Sequence, residues 1–177
     1  PESQWFGRKH VTPQEKTHLV LNVFESVANR YDLMNDLMSG GIHRLWKDTL
    51  IRKINPTANL RYLDVAGGTG DIAFRIAKKA GDKAAITISD INPKMLEVGK
   101  SRAIDKGYLK RFSWVEGNAE HLPFADDSFD VYTISFGLRN VTHIDIALSE
   151  AYRILRPGGR FFCMEFSHLD NPQLQKI

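Results

Sequence analysis

The chain has 177 residues, 42% of them hydrophobic and 25% charged, which is enough for one globular domain with a sizeable core and little more. A net charge of +3 and an isoelectric point near 9.0 arise from scattered Lys and Arg without runs, so a solvated surface is expected and a nucleic-acid interface is not. One cysteine excludes a disulfide framework, and no stretch approaches the ~18 apolar residues of a membrane span.

The opening stretch PESQWFGRKH has neither a signal-peptide core nor an Arg/Ser-rich transit pattern. Thr12-Pro13-Gln14-Glu15 then reads as a helix start: Thr caps, Pro suits the first turn, and Glu reaches back to the cap. Val20, Val23, Phe24 and Val27 continue at helical spacing. YDLMNDLMSGG reads as short turns, and a second helix is expected over His43 to Ile54, its apolar residues Leu45, Trp46, Leu50 and Ile54, stopping before Pro56. Residues 1–60 therefore form an N-terminal helical segment, a lid in this reading.

From Arg61 the pattern changes. Short apolar runs over 61–65, 85–89, 112–115, 130–135 and 160–166 are strand candidates. Helices fit after Gly70, after Asn92-Pro93, and after Thr142-His143-Ile144-Asp145, a second capping-box pattern whose helix stops at Arg156-Pro157-Gly158-Gly159. Continuously apolar strands separated by helices predict a doubly wound, mostly parallel α/β sheet over 61–177, with its ligand crevice at the carboxyl ends of the strands. Cys163, inside RFFCMEF, is expected to be a small buried hydrophobe, and a lone cysteine fits a reducing compartment.

The stretch LDVAGGTGDIAFRI puts Gly67, Gly68 and Gly70 between the first of these strands and its helix, where backbone must approach a ligand closely. Two ligands fit such a turn. Gly68-Thr69-Gly70-Asp71-Ile72-Ala73 satisfies a dinucleotide fingerprint and Asp90 could take a ribose, which would make the chain a nicotinamide-dependent oxidoreductase. A pyrophosphate, however, wants the positive end of the helix, where Asp71 puts a like charge, unless Asp71 only caps that helix. S-adenosylmethionine carries an ammonium and a sulfonium, so Asp64 at the strand end can anchor it while the loop N–H groups meet its carboxylate.

Asp64-x-Ala66-x-Gly68-x-Gly70 resembles the first motif of class I methyltransferases, with alanine where the first glycine is usual. Asp90 in ISDIN looks like the acid for the ribose hydroxyls, Asn118-Ala119-Glu120 in GNAEHLPF like the adenine contact, and Ser135 lies beneath the expected methionine moiety. VANRYDLMNDLMSGGIHRLWK, SFGLRNVTHIDIAL and LRPGGRFFCMEFS go further and resemble the ubiquinone/menaquinone biosynthesis C-methyltransferase family. The resemblance implies methyl transfer from S-adenosyl-L-methionine to a ring carbon of a polyprenyl benzoquinol or of a naphthoquinol such as demethylmenaquinol. It carries the cofactor contacts onto Thr69, Asp90, Asn118, Ala119 and Ser135, beside the turn residues Asp64, Ala66, Gly67 and Gly68, with Tyr31 reaching over the methionine end from the lid.

The reaction needs a phenolate, and a phenol of pKa about 10 is mostly neutral at physiological pH. Arg139, in FGLRN, is the first candidate to stabilise that charge, His143 the second, and His43 and Asp36 weaker ones. No pair of His, Cys or carboxylates has metal-ligand spacing.

Two other classes compete. One is a methyltransferase acting on another small molecule or on RNA or protein, though amino-group enzymes of that kind often carry Asn/Asp-Pro-Pro-Tyr where Ser135-Phe136-Gly137-Leu138 stands; the other is a non-catalytic scaffold of a quinone-synthesis assembly, whose sign would be a damaged cofactor loop, and the loop is intact. A prenylated substrate implies peripheral membrane contact on the cytoplasmic face of the inner membrane, or in the mitochondrial matrix of a eukaryote, within a quinone-biosynthesis complex or as a homodimer. Because the chain stops at Ile177, where DNPQLQKI starts a new helix, it is expected to be a piece of a longer protein whose later strands cover the open sheet edge.

Overall fold

Alternation along the central strands decides the architecture. In the strand Arg61–Val65, Tyr62 joins one apolar cluster and Leu63 and Val65 another, and in Phe129–Ser135, Val131 joins the first while Tyr132 and Ile134 join the second. Both faces of the sheet are thus covered, which period-two side chains require in a buried parallel sheet. The structure, a computed structural model, describes residues 4–6, 9–12, 15, 42–108 and 110–165.

Two short antiparallel strands, β1 (Gln4–Phe6) and β2 (Lys9–Val11), open the chain, where no strand was expected. The Thr12/Glu15 capping box follows as read: the Thr12 N–H donates to Glu15 Oε2 at 2.8 Å and the Glu15 N–H to Thr12 Oγ1 at 3.3 Å. The rest of that helix, the turns over 31–41 and the DNPQLQKI stretch lie outside the described residues.

The described core runs α1 (Ile42–Ile54), β3 (Arg61–Val65), α2 (Asp71–Ala80), β4 (Ala85–Asp90), α3 (Pro93–Asp105), β5 (Phe112–Glu116), β6 (Phe129–Ser135), α4 (Ile144–Ile154) and β7 (Leu155–Met164). Strands β3 to β7 form one parallel sheet in the order β5-β4-β3-β6-β7. The first cluster joins α1, α2 and Leu96 of α3 to Tyr62, Ile86, Ile88 and Val131; the second joins α4 to Leu63, Val65, Tyr132 and Ile134. The expected doubly wound sheet is therefore present, and its strand order reverses direction between β3 and β6.

Four local expectations need correction. Leu45 and Trp46 of α1 are 66% and 39% exposed; the packed face is instead His43, Lys47, Leu50, Ile51 and Ile54, one helical phase round, so its first two turns offer polar groups. The helix α4 begins at Ile144 with His143 as cap and no side-chain cap bond; Glu120, from the loop after β5, receives the Thr142 and His143 N–H groups at 3.0 and 3.2 Å instead. That helix ends at Ile154, and Arg156-Pro157-Gly158-Gly159 already belongs to β7, where pairing jumps from Phe129↔Leu155 to Val131↔Arg160. Cys163 is exposed: Phe162 and Met164 pack on the first cluster, so the residue between them faces the other side of a strand that pairs, among the described residues, only with β6.

Candidate functional site

At the point where the strand order reverses, the chain leaving β3 turns to α2 on one face and the chain leaving β6 turns to α4 on the other. The two departures leave a crevice at the carboxyl ends of the strands. It encloses roughly 1170 Å³ including its open mouth, and its lining comes from the ends of β3, β4 and β6, the loop after β5, and Lys47 of α1.

The turn after β3 is shaped by its conformations. Ala66, Gly68 and Gly70 all have positive φ, at 51°, 53° and 83°. A left-handed alanine is strained, and Ala66 occupies the place where the class I motif usually has glycine. Its methyl group is accommodated across the crevice, because a Cβ on Gly137 would meet it at 2.5 Å. Gly67 serves a different need: a Cβ there would lie 2.9 Å from Asp64 Oδ2, so only glycine lets backbone close over that carboxylate.

Asp64 is 1% exposed. Its Oδ1 accepts the Thr133 hydroxyl at 2.7 Å, and Oδ2 has no hydrogen-bond partner among the described residues. Burial pushes its carboxyl up to about 7, against the pull of Thr133 and Lys47. A desolvated carboxylate with one open oxygen is a receptor for a cation. Ser135 Oγ and Asn92 Nδ2, on two more lining residues, are likewise buried without a partner among the described residues.

Asp90 ends β4 as expected, but both of its oxygens are engaged: Oδ2 by the Gly68 N–H at 2.8 Å, Oδ1 by the Asn92 N–H at 2.9 Å. It therefore ties the glycine turn to the next loop, and burial raises its carboxyl. Each carboxylate oxygen keeps acceptor capacity for a hydroxyl. Asn118 Oδ1 accepts the Glu120 N–H at 3.0 Å, Ala119 is buried, and Thr69 Oγ1 accepts from Arg102 at 2.6 Å. The structure brings Asp64, Ala66, Gly67, Gly68, Thr69, Asp90, Asn118, Ala119 and Ser135 to this one crevice.

Other expected residues are placed differently. Asp71 neither caps its helix nor stands alone: Gly70 is the cap, and Asp71 meets Lys47 Nζ at 2.8 Å and Arg75 Nε at 3.3 Å. Burial opposes its ionisation, yet those two cations hold its carboxyl below the usual range. The helix start is thus not simply negative, and the charge argument against a pyrophosphate loses its Asp71 half. Arg139, on the 3₁₀ turn Leu138–Asn140, does not line the crevice; its guanidinium bonds Glu165 at 2.7 Å and lies 5.7 Å from the Phe136 ring. His143 does not line the crevice either; its Nδ1 lies 2.8 Å from Oε2 of Glu120, which does. His43 is buried in α1 away from the lining, and Tyr31 and Asp36 lie outside the described residues. Among the described residues no group of His, Cys, Asp and Glu could hold a metal.

Lys47 was not singled out from sequence, and Glu120, read with Asn118 and Ala119 as part of the adenine contact, instead receives the N–H groups of Thr142 and His143. Lys47 closes the quoted VANRYDLMNDLMSGGIHRLWK stretch, but only the phase of α1 shows that it points inward. Phe136, the residue after β6, also lines the crevice in a left-handed conformation, φ 57°.

Residues 10–177 match the family described as the ubiE/COQ5 methyltransferase family. The ubiquinone/menaquinone biosynthesis C-methyltransferase UbiE of Brucella suis is 58% identical over 174 residues, covering 97% of this chain and 65% of that protein. The protein of the same name from Zymomonas mobilis is 62% identical over 162 residues, covering 92% and 65%. The chain thus spans about 65% of the length of these relatives. Among solved structures, the YcgJ protein of Bacillus subtilis matches with TM-score 0.64 at 28% identity, over 73% of this chain and 54% of that one. A putative S-adenosyl-L-methionine-dependent methyltransferase of Methanococcus maripaludis matches with TM-score 0.67 at 22% identity, over 77% and 61%. The fold is the Rossmann-like α/β fold of class I methyltransferases.

Proposed function

The chain belongs to the ubiE/COQ5 methyltransferase family, and from that premise we propose that it is the donor-binding part of an S-adenosyl-L-methionine-dependent C-methyltransferase acting on a ring carbon of a polyprenyl benzoquinol or demethylmenaquinol. The observation that carries the reading is the open Oδ2 of Asp64, a buried carboxylate whose other oxygen takes the Thr133 hydroxyl. That group suits the donor's ammonium and would repel a phosphate.

In this reading Asp64 takes the ammonium, Asp90 the ribose hydroxyls, Asn118 and Ala119 the adenine, and Ser135 the methionine portion, with Thr69 and the Ala66-Gly67-Gly68 backbone as walls. When bound, S-adenosylmethionine would supply an electrophilic methyl group on sulfur for transfer to the ring carbon, whose proton would leave to water. The chain's part is alignment and exclusion of water. Arg139, outside the lining but beside Phe136, would stabilise phenolate charge, with Glu165 holding its guanidinium in place. His143, linked to Glu120 of the lining, is the second candidate and would pass a proton toward solvent. Tyr31 would close over the methionine end.

Among the described residues no helix is long and apolar enough to cross a membrane; a prenylated quinol substrate would call for peripheral contact with a bilayer. A quinone-biosynthesis complex and a homodimer fit the same setting on the cytoplasmic or matrix face. The test is methyl incorporation by the full-length protein from labelled donor into each quinol type. Labelling of RNA or protein with neither quinol labelled would refute the assignment.

A further inference from the structure

The crevice has one basic residue. Among its described lining residues, Lys47 is the only lysine, arginine or histidine, and it is 5% exposed. Lysine is almost never buried to that extent unless it is paired. Lys47 is paired, with Asp71 Oδ2 at 2.8 Å, but Asp71 is itself shared with Arg75. Arg75 pairs in turn with Asp48, and of the two cations on Asp71 only Lys47 lines the crevice. An ammonium has three N–H donors, of which the Asp71 contact uses one. The Lys47 charge also reaches Asp64, where it opposes the effect of burial.

The crevice thus presents an open acid and a buried base, Asp64 at the end of β3 and Lys47 on the inward face of α1. An α-amino acid zwitterion has the same two charges, reversed, a few ångströms apart. We propose that Lys47 is a positioning residue for the methyl donor, taking the carboxylate of its methionyl end while Asp64 takes the ammonium. The inference rests on the methyl-donor reading and deepens it. Two charge-assisted contacts of opposite sign fix the direction of the amino-acid moiety, which neither could fix alone. They also make donor affinity depend on α1, the helix that precedes the first strand of the parallel sheet.

The test is calorimetry on the full-length protein with two donors that differ only in this carboxylate, S-adenosylmethionine and its decarboxylated analogue. The wild type is expected to bind the intact donor about 10- to 100-fold more tightly. K47M should abolish that preference by weakening S-adenosylmethionine while leaving the analogue within about twofold, and K47R should restore most of it. D71N breaks the ion pair yet keeps the ammonium, so it should retain the preference. If Lys47 only straps α1 to α2, D71N and K47M will behave alike and both donors will weaken together, which overturns the proposal, and so does a K47M protein with unchanged donor binding. Should K47M fail to fold, K47R and D71N still separate the two roles by the same ratio. A wild type that binds neither donor would instead overturn the methyl-donor reading beneath it.

Discussion

Asp64 should make donor binding and stability depend on pH in opposite senses. Burial lifts its carboxyl from 3.8 to about 7, a difference of about three pH units, and at 1.36 kcal/mol per unit the ionised form is disfavoured in the free protein by roughly 4 kcal/mol. Because the folded value lies above the unfolded one, the contribution of this group to stability is fully present below 3.8 and is lost as pH rises through about 7. An ammonium in the crevice reverses the preference, since it pairs with the ionised form. Donor affinity should therefore rise by up to about tenfold per pH unit from pH ~5.5 and level off above ~7, just short of the ~7.7–8.0 range where an α-amino group begins to titrate.

Calorimetry in buffers of different ionisation enthalpy reads the same event as released protons, nearly one per donor at pH ~6 and few at pH ~7.5. D64N should abolish the proton release and weaken the donor at every pH. It should also stabilise the free protein near pH ~8 by about 2 kcal/mol, the cost of the buried charge less about 2 kcal/mol for an amide N–H without a partner. Affinity that stays flat across this window, with no proton release, would refute the assignment of Asp64 as the cation's partner.

Ala66 and Gly137 should behave as a coupled pair in urea unfolding. A66G relieves left-handed strain at some cost in chain entropy and should change stability by no more than about 1 kcal/mol, whereas G137A drives a methyl group into the Ala66 Cβ and should cost about 1–3 kcal/mol. The double variant should recover most of that loss; simple additivity would show that the contact is relieved elsewhere. Tyr62, fully buried, donates its hydroxyl to Thr57 O and accepts the Thr57 N–H, both at 2.8 Å, so Y62F should lower stability by about 1–3 kcal/mol without altering donor affinity. R139A should lower kcat roughly 10²- to 10³-fold at unchanged donor Kd, and a parallel loss of donor affinity would assign Arg139 to the donor side of the site.

What was legible in the sequence is what local chemistry decides. The starts of β3, β4 and β5, the glycine turn and the Asn92 cap, which accepts the Lys94 N–H at 3.0 Å, all follow from residues within a few positions of each other. What was not legible depends on partners far along the chain. Glu120, more than twenty residues earlier, takes the Thr142 and His143 N–H groups just ahead of α4, so a Thr142 box that looks complete in sequence is left unused. The exposure of Cys163 depends on β7 having, among the described residues, a single neighbouring strand.

The charge at the glycine turn shows the same division and changes the argument for the ligand. Read along the chain, Asp71 is a lone acid at a helix start and speaks against a phosphate. In the fold, α1 brings Lys47 onto it from twenty-four positions upstream and Arg75 reaches it from the next turn, so its charge is spent within the protein. The discrimination then falls to Asp64, whose distance from solvent depends on Gly67 closing over it and on Thr133 of β6 filling one of its oxygens. A pyrophosphate at this turn would bring two negative charges against that carboxylate in a site with one buried lysine. A zwitterion with an added sulfonium meets both signs. The preference for a cationic methyl donor therefore rests on the tertiary pairing of Lys47 and Asp71, which leaves Asp64 as the acid still open to a ligand.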